Sequence, residues 1–231
     1  MKRISMFIIA TLVLNTGFIV NPEAMLKDDE TKKIEDAITV LKEINEISEQ
    51  RIPPALLKQA EGIVIIPNVI KAGFVIAGNH GKGIAMVREE NGTWSLPAFV
   101  NISGGSVGFQ AGVKATDVIL IFKRKQSLYE MQNSDFTLGA DASIAAGPVG
   151  RTASASTNIT FEAEILSYSR SRGVFAGVSF EGSVLDVNNK SNETFYWKAG
   201  VTVDDIYNKN VEEYPAEVIE KLMSTLDGVA M

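Results

Sequence analysis

The 231-residue chain contains no cysteine and a single histidine, and these two shortages exclude several kinds of site. Without cysteine, no disulfide, thiolate metal site or cysteine nucleophile can form. The lone histidine, His80, cannot build a multi-histidine metal centre, and the sequence has no D-x-[DN]-x-[DN]-G calcium loop. We therefore predict no metal and no other cofactor.

Positive charge is also in short supply. The 22 Lys and Arg residues are outnumbered by 28 Asp and Glu residues, which gives a formal net charge of −6. Nucleic-acid-binding domains are usually basic, so nucleic acid is not a predicted partner. An anionic membrane would attract such a chain only through a local basic cluster or through hydrophobic contact. The hydrophobic fraction of 45% is enough for the core of one large domain.

The N-terminus carries an export pattern. Lys2 and Arg3 precede an apolar stretch, residues 4–20, that contains no charged residue. This arrangement predicts a secretory signal peptide over residues 1–24, with Ala24 before the cut. An uncleaved membrane anchor is the alternative, because the stretch is near the lower length limit for spanning a bilayer. Either way, we expect residues 25–231 to form one exported domain that is periplasmic or associated with the cell envelope.

Periodicity predicts an α+β fold, in which an antiparallel, barrel-like sheet of many short strands has amphipathic helices at its N- and C-terminal ends. Apolar residues recur at three- and four-residue steps over 28–50, and again over 215–227, which indicates a helix in each segment. The mainly β region is 60–207. Its predicted strands include 63–66, ended by Pro67, the continuously apolar 118–122, the alternating 159–165, and 174–180 and 195–203. A short helix is predicted over 127–132.

A serine-hydrolase motif can be read in the middle of the chain. The run from Gly104 to Gly108 satisfies G-x-S-x-G, with Ser106 as the possible nucleophile. That motif requires a helix after the serine and a histidine later in the chain, whereas here a strand pattern follows and His80 comes earlier. We interpret the glycines as a place where backbones approach closely, and serine catalysis as a remote alternative.

A second glycine-rich stretch, residues 78–83, resembles a phosphate-binding loop. A Walker motif needs four residues between its glycines and Ser or Thr after the lysine, and neither condition is met. We interpret the stretch as a connection between two strands of a hairpin. A lysine-tipped loop that touches an anionic headgroup is the alternative.

An ordered series of short motifs resembles the SYLF domain family of lipid-binding proteins, and the resemblance runs from about Pro53 to Leu226. Most of its landmarks are glycine-centred, and they occur in a fixed order. They are Ala60-Glu61-Gly62-Ile63, Lys71-Ala72-Gly73-Phe74, Gly81-Lys82-Gly83, Trp94-Ser95-Leu96-Pro97, the run from Gly104 to Gly112, Gly147-Pro148-Val149-Gly150, Gly173-Val174-Phe175-Ala176-Gly177, Asn192 with Phe195-Tyr196, and Asp205-Ile206-Tyr207.

The resemblance implies a non-enzymatic module that binds phospholipid or a membrane surface. In eukaryotic members it implies phosphoinositide binding, and in some members actin binding, through an N-terminal amphipathic helix and nearby basic residues. The export pattern fits a bacterial member, which would meet neither partner. The candidate lipid-binding residues are Lys32, Lys33, Ile34, Ile38 and Leu41 of the helix, with Lys71 and Lys82 in the strand region.

One further function remains open. The chain is alternatively a structural or stress-related envelope protein that acts through protein partners or self-association.

The helix over 28–50 has a mixed to acidic polar face, whereas helices that lie on membranes are usually basic there. A purely structural interpretation of this helix is that its apolar side packs on the body of the domain.

Overall fold

The computed structural model describes residues 22–46, 51–73, 76–107, 112–149, 162–171, 174–176 and 180–230. Most of the predicted signal or anchor, residues 1–21, lies outside these ranges, so export remains a prediction. None of the helices in the described ranges is long and apolar enough to cross a membrane.

Helices and strands are largely segregated along the described chain, as in an α+β fold. The helices are α1 (Pro22–Glu46), α2 (Pro54–Gln59), α3 (Gln126–Glu130), α4 (Asn189–Tyr196), α5 (Val203–Tyr207) and α6 (Ala216–Ala230). The strands are β1 (Gly62–Gly73), β2 (Ile76–Val87), β3 (Ala98–Val107), β4 (Gly112–Phe122), β5 (Phe136–Thr137), β6 (Ile144–Ala146), β7 (Ile165–Ser171), β8 (Val174–Ala176) and β9 (Val184–Val187).

The strands form one open sheet in the order β5-β9-β3-β2-β1-β4-β7-β6, and β8 pairs with β7. Every described pairing is antiparallel except β6 with β7. The α+β class and the helices at both ends are thus confirmed. The four longest strands lie together at the centre in the order β3-β2-β1-β4, so β3 and β4 flank the β1–β2 hairpin.

The core lies where the central strands are covered on both faces. All five residues of 118–122 are at most 1% exposed, which confirms a strand buried on both sides. Helix α1 packs on α6, α4, β1 and β2. Its apolar face is therefore part of the core, as the purely structural interpretation of the helix predicts.

Pro67 does not end the first strand, contrary to the prediction. β1 continues to Gly73, and its pairing register shifts around Pro67, between Ile66 and Val69. Asn68 takes a left-handed backbone conformation at φ 51°, and its N–H donates to Asp117 Oδ1 at 2.9 Å. The bulge takes up the proline, which cannot donate to the ladder, and the strand resumes beyond it.

The predicted loop over residues 78–83 is wrong, because the whole segment lies inside β2. Its glycines allow close packing against β1. A Cβ atom at Gly83 would lie 2.1 Å from the Ile65 carbonyl oxygen, and one at Gly81 would lie 2.9 Å from side-chain atoms of Ile66 and Val69. Glycine is required here by the approach of a neighbouring backbone, not by a turn or a phosphate.

The predicted strand over 195–203 is also wrong. Asn188 caps α4, since its side chain accepts a hydrogen bond from the Ser191 N–H, and the helix ends at Trp197 in a left-handed conformation. A second cap follows, in which Thr202 and Asp205 exchange side-chain and backbone hydrogen bonds at the start of α5. These local polar contacts outweigh the β propensity of the aromatic residues. The predicted strand over 159–165 is wrong where it is described, because residues 162–164 are not in a strand and only Ile165 is, as the first residue of β7. Of the predicted strand over 174–180, residues 174–176 form β8, Phe180 is not in a strand, and residues 177–179 lie outside the described residues.

Candidate functional site

The outer ends of the central strands extend beyond the core and are exposed on both faces. Residues 63–66 of β1 are fully buried, whereas Ile70, Lys71 and Ala72 of the same strand are exposed. β2 and β4 show the same change along their length: His80 and Lys114 are exposed, but the far halves of both strands are buried. We call this region, formed by residues 70–72, 78–82, 103–105 and 114–116, the strand end.

Two lysines lie side by side on one face of the strand end. Lys71 of β1 is the direct antiparallel partner of Lys114 of β4, and both side chains are exposed. Neither forms an ion pair with any carboxylate in the described part of the chain. Like charges directly opposite each other in a sheet repel, so this pair costs stability unless an anion screens it. The arrangement suits a negatively charged ligand.

The chain around these lysines contains no acidic residue. Residues 62–88 and 91–116 lack Asp and Glu altogether, although the whole sequence has 28 of them. The strand end is drawn from these two segments, which contribute Lys71, Lys82 and Lys114 to it. The strand end is therefore locally cationic in an acidic protein, and local potentials of this kind attract anionic partners.

The opposite face of the strand end combines an apolar side chain with a lysine. Ile70 is 51% exposed and is the cross-strand partner of His80. Lys82, two residues beyond His80 on β2, points to the same side because side chains alternate along a strand. The structure therefore does not place Lys82 beside Lys71, although both belong to the strand end.

The candidate residues of the N-terminal helix occupy different environments. Ile34, Ile38 and Leu41 are at most 2% exposed and pack in the core. Lys32 is exposed and pairs with Asp36 at 2.8 Å, and this hydrogen bond raises the pKa of the lysine. Lys33 is half-buried. In this conformation the apolar face of α1 contacts protein, and it would reach lipid only after the helix had left the core.

The Ser106 hypothesis lacks the architecture that it needs. Ser106 lies within β3, and the next described element is the strand β4, so the first element after the serine in the described chain is not a helix. Gly104 instead serves packing, since a Cβ atom there would lie 2.9 Å from both Asn79 Oδ1 and Ser183 Oγ. Those two side chains are themselves joined by a hydrogen bond of 3.1 Å. Gly108 lies outside the described residues.

Lys114 was missed in the sequence. It stands alone between β-branched and small residues, and nothing local marks it as functional. The signal that would have found it is the absence of acidic residues over 91–116. Its neighbour Lys71 is 43 positions earlier in the chain, and only the β1–β4 register brings the two together.

The described residues contain no group of three or more His, Asp or Glu side chains that could hold a metal ion. The polar side chains of the strand end are ammonium groups, amides, hydroxyls and the imidazole of His80, and all of these can donate hydrogen bonds to an anion. This geometry is suited to binding an anionic surface.

Comparison with known proteins gives consistent results. A family model described as Las17-binding protein actin regulator, Ysc84, matches residues 103–229. LAS seventeen-binding protein 3 of Saccharomyces cerevisiae is 35% identical over 181 residues, which is 76% of this chain and 39% of the yeast protein. SH3 domain-containing YSC84-like protein 1 of Xenopus laevis is 33% identical over 176 residues, which is 74% of this chain and 52% of the frog protein.

The chain thus spans from 39% to 52% of the length of these two relatives. The family description names binding and actin regulation, the name of the yeast relative names binding, and neither describes a reaction. The yeast protein is named for a protein partner, Las17.

Proposed function

This chain belongs to the Ysc84, or SYLF, family, and on that premise we propose that it is a non-enzymatic protein that binds anionic phospholipid surfaces through the strand end. The observation that carries the proposal is the exposed, unpaired Lys71–Lys114 pair in a region without carboxylates. The strand end is exposed on both faces. A membrane that meets it end-on would therefore contact Lys82 and Ile70 on one face as well as Lys71 and Lys114 on the other.

The energetics favour a modest, reversible attachment. A lysine close to an anionic bilayer surface contributes about 1 kcal/mol, so Lys71 and Lys114 together contribute about 2 kcal/mol. The overall charge of −6 opposes binding at long range, and this makes the local cluster decisive. Ile70 adds a hydrophobic contact that salt does not weaken.

Vesicle flotation tests the proposal directly. We expect the protein to float with phosphatidylcholine vesicles that contain phosphatidylglycerol and to stay behind with phosphatidylcholine alone. Replacing both lysines, Lys71→Gln with Lys114→Gln, should weaken the affinity about 30-fold, which corresponds to the loss of about 2 kcal/mol.

The matched control removes the same charge elsewhere, through Lys190→Gln with Lys221→Gln on α4 and α6. Both control lysines are exposed and form no ion pair in the described part of the chain. The control should bind as the wild type does. Equal losses in both variants would mean that net charge and not the strand end governs binding, and no flotation with either lipid would reject the lipid function.

A protein partner is the second candidate, and the observation in its favour is the family description as an actin regulator that binds Las17. Co-sedimentation with purified actin filaments tests it. Sedimentation with filaments together with a failure to float with vesicles would favour this candidate over lipid binding.

We also propose that the protein is exported, on the basis of residues 1–24 alone. N-terminal sequencing of the protein from membrane and soluble fractions of its own cells should find a start near residue 25. A start at Met1 in the membrane fraction would instead support an uncleaved anchor.

A further inference from the structure

A cleft of about 420 Å³ lies at the other end of β2 from the strand end. Arg88 and Glu89, which follow β2, form one side of it. Lys125 and Tyr129 line it from the α3 region, and Tyr207 and Lys209 line it from the end of α5. Three sequence-distant segments therefore meet around one concave surface.

Tyr207 in this cleft has an unsatisfied hydroxyl group. The side chain is 2% exposed, and its Oη has no hydrogen-bond partner among the described residues. Two other buried tyrosines are satisfied: the Tyr196 hydroxyl donates to the Pro97 carbonyl at 2.7 Å, and that of Tyr168 donates to the Pro148 carbonyl at 3.2 Å. A buried polar group without a partner is costly, which points to a partner from outside the chain.

The Tyr207 hydroxyl keeps its proton under all physiological conditions. Burial raises the pKa of Tyr207, and the nearby Tyr129 raises it further. The two rings are in edge-to-face contact, with centroids 5.3 Å apart. The group is therefore available as a hydrogen-bond donor, and the matching ligand atom is an acceptor.

The charges around the cleft favour an anionic acceptor. Lys209 pairs with Glu89 at 2.5 Å, which neutralises that carboxylate. The Arg88 guanidinium donates to the carbonyl groups of Ala60, Leu57 and Gly92 and stacks on the Trp94 ring, so its charge meets no carboxylate directly.

Lys125 is half-buried, and its ammonium pairs with no carboxylate in the described ranges. Glu90 supplies the second negative charge at the rim. The residues that line the cleft thus include three cations and two carboxylates, although the whole chain is acidic.

We propose that this cleft binds a small molecule that carries an oxyanion group, either a phosphate or a carboxylate, with the Tyr207 hydroxyl as hydrogen-bond donor and Lys125 as the charge partner. A volume of about 420 Å³ admits a small metabolite and not a folded domain. This site is independent of the strand end and of membrane attachment.

Thermal unfolding with inorganic phosphate or acetate, each compared with sodium chloride at equal ionic strength, tests the proposal. At tenfold excess over its dissociation constant, the bound anion should raise the Tm of the wild type by about 3 °C. The probe with the larger rise identifies the oxyanion class. Lys125→Gln should weaken the effect about tenfold.

The decisive comparison is Tyr207→Phe against Tyr196→Phe. Tyr207→Phe removes an unsatisfied hydroxyl, so the Tm without probe should stay the same or rise, and the anion-dependent rise should vanish. Tyr196→Phe breaks a real hydrogen bond, so its Tm should fall while the anion-dependent rise remains.

Three results would overturn the inference. A fall in Tm for Tyr207→Phe, as large as that for Tyr196→Phe, would show that the hydroxyl already has a protein partner. An equal anion response in Tyr207→Phe and wild type would place the anion elsewhere. If neither phosphate nor acetate raised the Tm more than chloride does, the partner of the Tyr207 hydroxyl would be water and not an oxyanion.

Discussion

At the scale of single residues, two glycines that lie in similar glycine-rich runs have different packing environments. Gly83 is packed against the β1 backbone at the bulge, whereas a Cβ atom at Gly105 would meet nothing within 4 Å. Sequence alone treats the two alike, since each lies in a glycine-rich run. The distinction depends on how closely the backbone of Ile65 approaches Gly83 from the neighbouring strand, which no local pattern encodes.

This difference gives a paired prediction. Gly83→Ala should lower the free energy of unfolding by about 3 kcal/mol, the upper end of the usual cost of overpacking, because the contacted atoms belong to backbone and cannot rotate away. Gly105→Ala should be neutral or slightly stabilising, since it only restricts the unfolded chain. Urea unfolding measures both. Equal losses in the two variants would contradict the close approach at Gly83.

At the scale of elements, the sequence predicted those whose signal is local. The apolar period of α1 and α6 and the continuous run in β4 each identify the correct element without knowledge of its neighbours. The path of β1 past Pro67 was not predictable, because it depends on Asp117 accepting the Asn68 N–H across 49 positions. The α4 segment was misread since its aromatic residues outweighed Asn188, the cap that starts the helix.

The same contrast applies to the candidate site. The family resemblance predicted Lys71 and Lys82, but no local pattern indicates that they lie on opposite faces of the sheet. The alternation of side chains is predictable within a strand, yet the bulge in β1 changes its register with both neighbours. The pairing of Lys71 with Lys114 follows from that register.

Helix α1 provides the element-scale prediction. Leu41 is fully buried, so Leu41→Ala should cost about 2–5 kcal/mol of stability. If α1 stays packed on the core while the protein is bound to a membrane, the vesicle affinity of this variant below its melting temperature should equal that of the wild type. Thr39→Ala, on the exposed side of the same helix, is the control and should leave both quantities unaltered. A drop in vesicle affinity without a drop in Tm would instead show that Leu41 inserts into lipid.

At the scale of the whole molecule, an acidic protein carries two adjacent exposed lysines, Lys71 and Lys114, at one projecting end of its sheet. Such a charge distribution orients the molecule as it approaches an anionic surface, since the strand end is attracted while the net charge is repelled. Helix α1 and the other helices then contribute the rigid core that holds the strand end in place. Under the proposed function, binding and stability therefore belong to different parts of one domain.

The distribution of charge predicts how salt affects binding. Raising the ionic strength from about 0.1 M to about 1 M shortens the screening length from about 10 Å to about 3 Å, so the contribution of Lys71 and Lys114 should be lost. Vesicle affinity of the wild type should then fall to that of the Lys71→Gln, Lys114→Gln variant, which should itself respond little to salt. Flotation across a sodium chloride series measures both curves. Parallel curves for the two proteins would show that the lysine pair is not the electrostatic contact, and a salt-independent wild type would place the binding energy in hydrophobic insertion.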